Sequence, residues 1–158
     1  MGIFGPNRSN VRKGTMDSNE TAARIVAGTQ DAVIYADRDG AIQLWNVGAE
    51  RIFGWSAEEA AGESLDIIVP EKHRKPHWRG WYRVMDTGLT RYGADPLAVP
   101  GLRKDGSIVS LEFSITMLKD AEGRIEGIAA ILRDVSKRWN RERALKKRVE
   151  ELEAAQQA

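Results

Sequence analysis

The chain has 158 residues, enough for one domain with a helical or linker extension but too few for a second full-sized core. Its 24 Lys and Arg nearly balance its 23 Asp and Glu. A net charge of +1 excludes the strong positive electrostatic potential that is typical of proteins that bind nucleic acids or membranes. The absence of cysteine excludes disulfides, thiol nucleophiles, cysteine-ligated metals and cysteinyl–flavin chemistry. No apolar stretch approaches a membrane span and no secretory signal follows Met1, so we expect a cytoplasmic protein.

The first 17 residues are basic and poor in apolar side chains. Arg8, Arg12 and Lys13 are accompanied by too few apolar groups to form a core, which predicts a flexible leader over residues 1–17. Met16 offers an alternative start, so residues 1–15 need not be native. From Asn19 the apolar residues recur at helical spacing, which predicts a short helix leading into the domain and ending at Gly28.

The first half of the domain reads as a hairpin followed by short helices. Residues 32–36 and 41–45 have β-type composition and flank an Asp-Gly turn, which predicts two antiparallel strands. A short capped helix ending at Gly54 follows. Ser56 and Glu59 then form a capping-box pattern, which predicts the start of a second short helix.

The second half begins with the longest internal helix, expected from about Lys72 to Asp86 and ended by Gly88. Strands are expected over residues 97–103, 108–118 and 125–132, separated by turns that contain Gly106 and Gly123. Two strands, small helices, one longer helix and three strands predict an α+β fold. Its five-stranded antiparallel sheet carries the helices on one face.

After Arg133 the composition becomes helical and highly charged, and residues 138–158 are expected to form a C-terminal helix. When the helix is read in heptads, its a and d positions form a seam that could face a partner helix. This seam is apolar only in its second half, at Leu145, Val149 and Leu152, because Arg138 and Glu142 occupy earlier seam positions. The pattern is compatible with a dimeric coiled coil and with a solvated, charge-laced helix.

Several stretches together resemble the PAS domain family. They are residues 31–40 (DAVIYADRDG), Trp45-Asn46, residues 50–59 (ERIFGWSAEE), Gly62, residues 103–107 (RKDGS) and residues 131–136 (ILRDVS). The resemblance covers about residues 22–137 in the family's order without a large gap. It implies a PAS sensor domain over residues 18–137, with a pocket between the sheet and the helices and a flanking helix that passes on the signal. It also implies sensing, dimerisation and a downstream signalling partner of unknown identity, although fold alone does not name the ligand. The sequence contains no nucleophile elbow, P-loop or His/Asp/Ser constellation, so we expect no enzymatic activity.

The long helix carries the most informative site residue, His77. With Pro76 in the first helical turn, His77, Trp81, Val84 and Met85 fall on one face, which we expect to point inward. A neutral imidazole on an apolar wall is what a haem iron requires of its proximal ligand.

The same segment resembles the haem-binding PAS domains of FixL-type oxygen-sensing kinases and of direct oxygen-sensing phosphodiesterases. In those proteins the axial histidine follows a Pro-x-x-x-Arg-x-x-His stretch, which here is Pro70, Arg74 and His77. The resemblance implies haem b with His77 as the iron ligand. It further implies a diatomic gas (O2, CO or NO) or a redox change as the signal and a homodimer as the assembly.

Other haem-pocket positions follow when the rest of the chain is aligned with those haem-binding PAS domains. Phe113 and Ile115 match the apolar distal wall, Trp81 faces the pocket, and Arg83 and Arg91 match groups that approach the haem propionates. Where such sensors place a distal Met or Arg, this chain has Asp95-Pro96-Leu97. Leu97 would then leave the gas side apolar, with Tyr92 the nearest polar side chain that could donate a distal hydrogen bond.

Two alternatives remain open at this point. The pocket could hold a small organic ligand, or the domain could work without a cofactor, as an interaction module that dimerises through its terminal helices. His73 and His77, four residues apart, could also hold zinc, but no third and fourth ligands are evident nearby.

Overall fold

The structure is a computed structural model that describes residues 17–90 and 97–157. Nearly all of the predicted leader therefore lies outside the described residues. The elements in chain order are α1 (Ser18–Gly28), β1 (Ala32–Asp37), β2 (Ile42–Trp45), α2 (Val47–Phe53), α3 (Ala57–Ala60), a single 3-10 turn (Leu65–Ile67), α4 (Glu71–Thr87), β3 (Leu97–Leu102), β4 (Ile108–Lys119), β5 (Ile125–Asp134) and α5 (Ser136–Gln156).

The five strands form one antiparallel sheet in the order β2-β1-β5-β4-β3. This confirms the predicted α+β class and the five-stranded sheet. On the three central strands Ile34 lies opposite Ala130, which in turn lies opposite Ile115. Because side chains alternate across a strand, these three residues line up across one face of the sheet.

The helices cover that face and enclose the core. Ile34 and Ile128 from the sheet are buried together with Phe53 from α2 and Trp81 from α4. Asn46, only 7% exposed, stands at the junction of α1, β1 and α2. Its side chain accepts hydrogen bonds from the backbone N–H of Val33 and Ala49 and donates to two backbone carbonyls, so every polar group of this buried amide has a partner.

Helix α4 agrees with the bounds expected from the sequence to within one residue at each end. It starts at Glu71, directly after Pro70, so Pro76 is the sixth helical residue and the prediction that it occupies the first turn is wrong. Proline inside a helix removes one backbone hydrogen bond. The predicted inward face is nevertheless correct, because Trp81, Val84 and Met85 are buried.

Helix α5 leaves the sheet at the end of β5 and begins at Ser136. The Asp134 carboxylate accepts a hydrogen bond from the backbone N–H of Ser136, and Arg138 pairs with Glu112 on β4. The seam residues Leu145, Val149 and Leu152 are exposed in the single chain. Among the residues that the structure describes, no helix is both long enough and apolar enough to cross a membrane.

Candidate functional site

A cavity of about 390 Å³ lies between α4 and the inner face of the sheet. Its volume is within the range of small-molecule sites, near the lower end. The sheet side of its wall is entirely apolar, consisting of Ile34, Ala36, Val99, Leu111, Phe113, Ile115, Ile128, Ala130 and Leu132, together with Pro100 and Gly101. The helix side carries His73, Pro76, His77, Gly80, Trp81 and Val84. Polar side chains on the described wall are therefore confined to α4.

His77 presents a half-buried imidazole to this cavity. Its Nδ1 atom is shielded from solvent and has no hydrogen-bond partner among the described residues. Burial lowers the pKa of the imidazole below its ordinary value, and the negative charge of Asp66 opposes part of that shift. The ring is therefore neutral near pH 7, the state in which a histidine nitrogen can bind a metal.

Two tryptophans of α4 lie beside the imidazole and within 5.9 Å of each other. The Trp78 ring meets His77 edge-on with a centroid distance of 4.9 Å, and the Trp81 ring lies at 6.1 Å in a tilted arrangement. Trp81 lines the cavity and donates its indole N–H to the backbone carbonyl of Arg38 at 3.0 Å. On the described wall, His77 is thus the one residue with a buried polar side-chain atom that lacks a partner.

The structure brings together four of the residues that the sequence singled out. His77 and Trp81 on α4 face Phe113 and Ile115 on β4 across the cavity. Arg83 is exposed and is not among the described residues that line the cavity, so a propionate contact by Arg83 stays a prediction.

The remaining predicted site residues fall in or beside the segment that the structure does not describe. Arg91 and Tyr92 lie outside the described residues. The backbone of Leu97 pairs with Phe113 at the start of β3, which places this position at the edge of the cavity wall.

Sequence reasoning missed several wall residues, although a signal for some was present. Ile128, Ala130 and Leu132 alternate along β5 and therefore share one face, so the pattern of this strand could have placed all three on the cavity. The contribution of Ala36 from β1 follows the same alternation. The tight approach of Gly101 to the core depends on tertiary packing that no local pattern reports, since a Cβ at this position would lie 2.5 Å from the side chain of Leu111.

These residues fit the requirements of a haem. A haem iron needs an axial nitrogen ligand, and the macrocycle needs apolar walls. His77 supplies the first, with a buried Nδ1 atom that has no described partner, and the sheet supplies the second. No group of three or more His, Asp or Glu able to hold a metal ion occurs within residues 17–90 and 97–157, so a closed protein-only metal site finds no support there.

Comparison with known proteins identifies the fold family. The family model described as PAS fold matches residues 26–140. The sensor protein FixL of Bradyrhizobium diazoefficiens is 36% identical over 112 residues, which cover 65% of this chain and 21% of FixL. The oxygen sensor protein DosP of Escherichia coli is 27% identical over 105 residues, which cover 66% of this chain and 13% of DosP. The chain thus spans about a fifth or less of the length of these relatives.

Solved structures share the architecture at lower sequence identity. A PAS domain from Colwellia psychrerythraea superposes with a TM-score of 0.67 at 23% identity, covering 77% of this chain and 99% of the other. An RNA-binding light-oxygen-voltage receptor superposes with a TM-score of 0.65 at 20% identity, covering 95% of this chain and 42% of the receptor. The match to the family model over most of the chain, and the agreement in fold, show that this chain belongs to the PAS fold family.

Proposed function

We propose that this chain is a haem-b-binding PAS sensor in which His77 ligates the iron. The observation that carries the proposal is the imidazole of His77 on the wall of an apolar cavity, with no hydrogen bond to a described residue at its buried Nδ1 atom. Similarity to the sensor protein FixL and the oxygen sensor protein DosP supports it. A cytoplasmic location is part of the same proposal.

Each part of the cavity wall has a separate role in this proposal. His77 supplies the axial nitrogen, kept neutral by burial, and Trp81 packs beside it. Phe113 and Ile115 form the opposite wall and keep water away from the ligand side. Bound haem would supply a metal centre for O2, CO or NO, or for a redox change.

The signal would leave the cavity through the sheet. Phe113 and Ile115 lie on β4, which pairs with β5 along most of its length, and β5 leads directly into α5. A displacement of the apolar wall is therefore connected to the helix that we propose to dimerise and to contact an unknown downstream partner. Glu112 and Arg138 link β4 to α5 by an ion pair at the junction.

An absorption spectrum tests the ligand assignment. Protein purified from haem-sufficient cells, or reconstituted with haemin, should show a Soret band that His77→Ala abolishes. His73→Ala is the matched control, because His73 also lines the cavity from α4, and this variant should retain the band. A full Soret band in His77→Ala would remove His77 from the ligand role.

A second candidate function is supported by the volume of the cavity and by the exposed seam of α5. A cavity of about 390 Å³ also suits a small organic ligand, and Leu145, Val149 and Leu152 are exposed at coiled-coil spacing. A colourless protein that cannot be reconstituted with haemin, yet dimerises, would favour this interaction module over the haem sensor.

A further inference from the structure

Trp78 contacts three parts of the molecule: the 3-10 turn before α4, the turn between β1 and β2, and His77 on α4 itself. Its indole N–H donates a 2.8 Å hydrogen bond to the carboxylate of Asp66, in the 3-10 turn before α4. Its ring meets the His77 imidazole edge-on, with an interplanar angle of 77°. On another side the ring covers Gly40 in the turn between β1 and β2 so closely that a Cβ there would lie 2.2 Å from Trp78 Cη2.

The carboxylate that holds Trp78 is itself fixed in place. Arg74, one turn before Trp78 on α4, donates to the backbone carbonyls of Asp66 at 3.1 Å and Val69 at 3.2 Å. Its guanidinium also lies 3.8 Å from the Asp66 carboxylate. The 3-10 turn and α4 are therefore tied together by Arg74, and the acceptor for the indole is held at a set distance from the helix.

The His77 ring lacks the usual means of orientation. A metal-bound histidine normally donates its second ring N–H to a carboxylate or carbonyl, and that bond fixes the plane of the ring. Here no hydrogen bond joins either ring nitrogen of His77 to a described residue, and Nδ1 is buried as well, so a hydrogen bond does not set the plane whichever nitrogen would face the iron. The aromatic contacts are then the remaining constraint, and of the two neighbouring indole rings Trp78 lies nearer.

We infer that Asp66 and Trp78 are positioning residues for the His77 imidazole. Asp66 fixes the indole through its hydrogen bond, and the near-perpendicular contact between the two rings fixes the plane of the imidazole. The inference deepens the proposed function and rests on it, since an oriented axial ligand matters when His77 binds iron. The pair would replace, by packing, the hydrogen bond that orients other metal-bound histidines.

Histidine ring NMR of the full chain without haem tests the orientation directly. In native protein labelled with 15N-histidine, assigned with His73→Gln, the His77 ring protons should show narrow signals shifted by the Trp78 ring current. Asp66→Ala and Trp78→Leu should move these signals toward free-histidine values. Asp66→Asn keeps an oxygen acceptor for the indole and should preserve them. Trp55→Phe, which removes a part-buried indole whose N–H has no described partner, should also leave them unchanged.

Haem retention gives a second readout, measured as the rate of haem transfer to excess apomyoglobin. Asp66→Ala and Trp78→Leu should lose haem about 10–100-fold faster, and Asp66→Asn should match the native rate. Native His77 signals in both disruptive variants would overturn the inference, as would equal haem loss in Asp66→Asn and Asp66→Ala. If the native protein binds no haem, the proposed function fails, while the haem-free spectra still decide whether the pair orients the ring.

Discussion

The indole N–H of Trp81 donates a 3.0 Å hydrogen bond to the backbone carbonyl of Arg38, which lies in the turn that joins β1 to β2. Arg38 in turn donates from Nη1 to the carbonyl of Ile125 at the start of β5, also at 3.0 Å. Because Trp81 lines the cavity, these two bonds connect the cavity wall on α4 to one end of the sheet.

Replacing Trp81 with Phe should therefore destabilise the domain while keeping an aromatic ring on the cavity. The variant leaves the Arg38 carbonyl without its indole donor, and we expect a loss of about 1–3 kcal/mol in the free energy of unfolding. Urea denaturation followed by circular dichroism measures it. Trp139→Phe, at a residue 43% exposed on α5, should stay within about 0.5 kcal/mol of native. Equal losses in the two variants would contradict the role assigned to the Trp81 bond.

Asn46 should be the most sensitive polar residue of the described core. Asn46→Ala removes the partners of two backbone N–H groups, on Val33 and Ala49, and of two carbonyls, on Val26 and Asp31. Since a buried polar group left without a partner costs about 1–3 kcal/mol, we expect a total loss of about 3 kcal/mol or more. Thermal and urea unfolding measure this loss. The control is Asn140→Ala on the exposed face of α5, and a loss at Asn46 no larger than at Asn140 would show that water replaces these bonds.

The elements that the sequence predicted well are those governed by local chemistry. The turn after β1 is made by the Asp37 carboxylate, which accepts the backbone N–H groups of Asp39 and Ala41, and Gly40 there has a φ of 81°. The capping box of Ser56 and Glu59 is present with both of its hydrogen bonds. In each case the residues that form the contact lie within a few positions of one another, so their spacing alone carries the information.

The features that the sequence could not supply depend on contacts between distant segments. The bonds from Arg74 to the carbonyls of Asp66 and Val69 tie α4 to the segment before it, and no helical periodicity reports them. The packing of Trp78 is another example, because it donates to Asp66 and covers Gly40, which both lie outside its own helix. The volume of the cavity likewise follows from how far α4 stands from the sheet.

Acid should weaken the domain in part through Asp31. Arg133 donates to both carboxylate oxygens of Asp31, at 3.1 and 2.7 Å, and these bonds hold the pKa of Asp31 below its usual value of 3.8. The unfolded chain then binds more protons than the folded one near this pH. The stability contributed by the pair is therefore complete above the unfolded pKa and disappears as pH falls through the lowered folded value.

Arg133→Gln should accordingly lower the free energy of unfolding by up to about 1 kcal/mol at neutral pH, since the arginine is largely exposed. The difference from native protein should shrink as the pH falls from neutral to below 3.8 and through the lowered folded pKa of Asp31. Urea denaturation across that range measures it, with Arg148→Gln, at an exposed pair on α5, as control. A difference between native protein and Arg133→Gln that stays constant with pH would mean that the Asp31 carboxylate is not the linked group.

The exposed seam of α5 predicts a dimer that one charge should weaken. Leu145, Val149 and Leu152 are 59%, 51% and 49% exposed in the single chain, and Leu145→Glu places a carboxylate at the first of these apolar seam positions. We expect the dimer dissociation constant, measured by sedimentation equilibrium, to rise about tenfold or more. Asn140→Glu adds the same charge about 140° away around the helix and should have little effect. A native chain that sediments as a monomer would rule out dimerisation through α5.

Ala130 offers a direct test of whether the cavity must stay open for haem. It faces the cavity from β5, between Ile34 on β1 and Ile115 on β4, so Ala130→Leu adds three carbon atoms to the wall opposite α4. We expect the free energy of unfolding to change by no more than about 1–3 kcal/mol, the usual cost of overpacking. We also expect a marked loss of the Soret absorbance per mole of protein after haemin reconstitution. Ala129→Leu, one residue earlier and on the opposite face of the strand, adds the same atoms outside the cavity and should bind haem as the native protein does. Full haem uptake by Ala130→Leu would mean that haem, if bound, lies elsewhere than between His77 and the sheet.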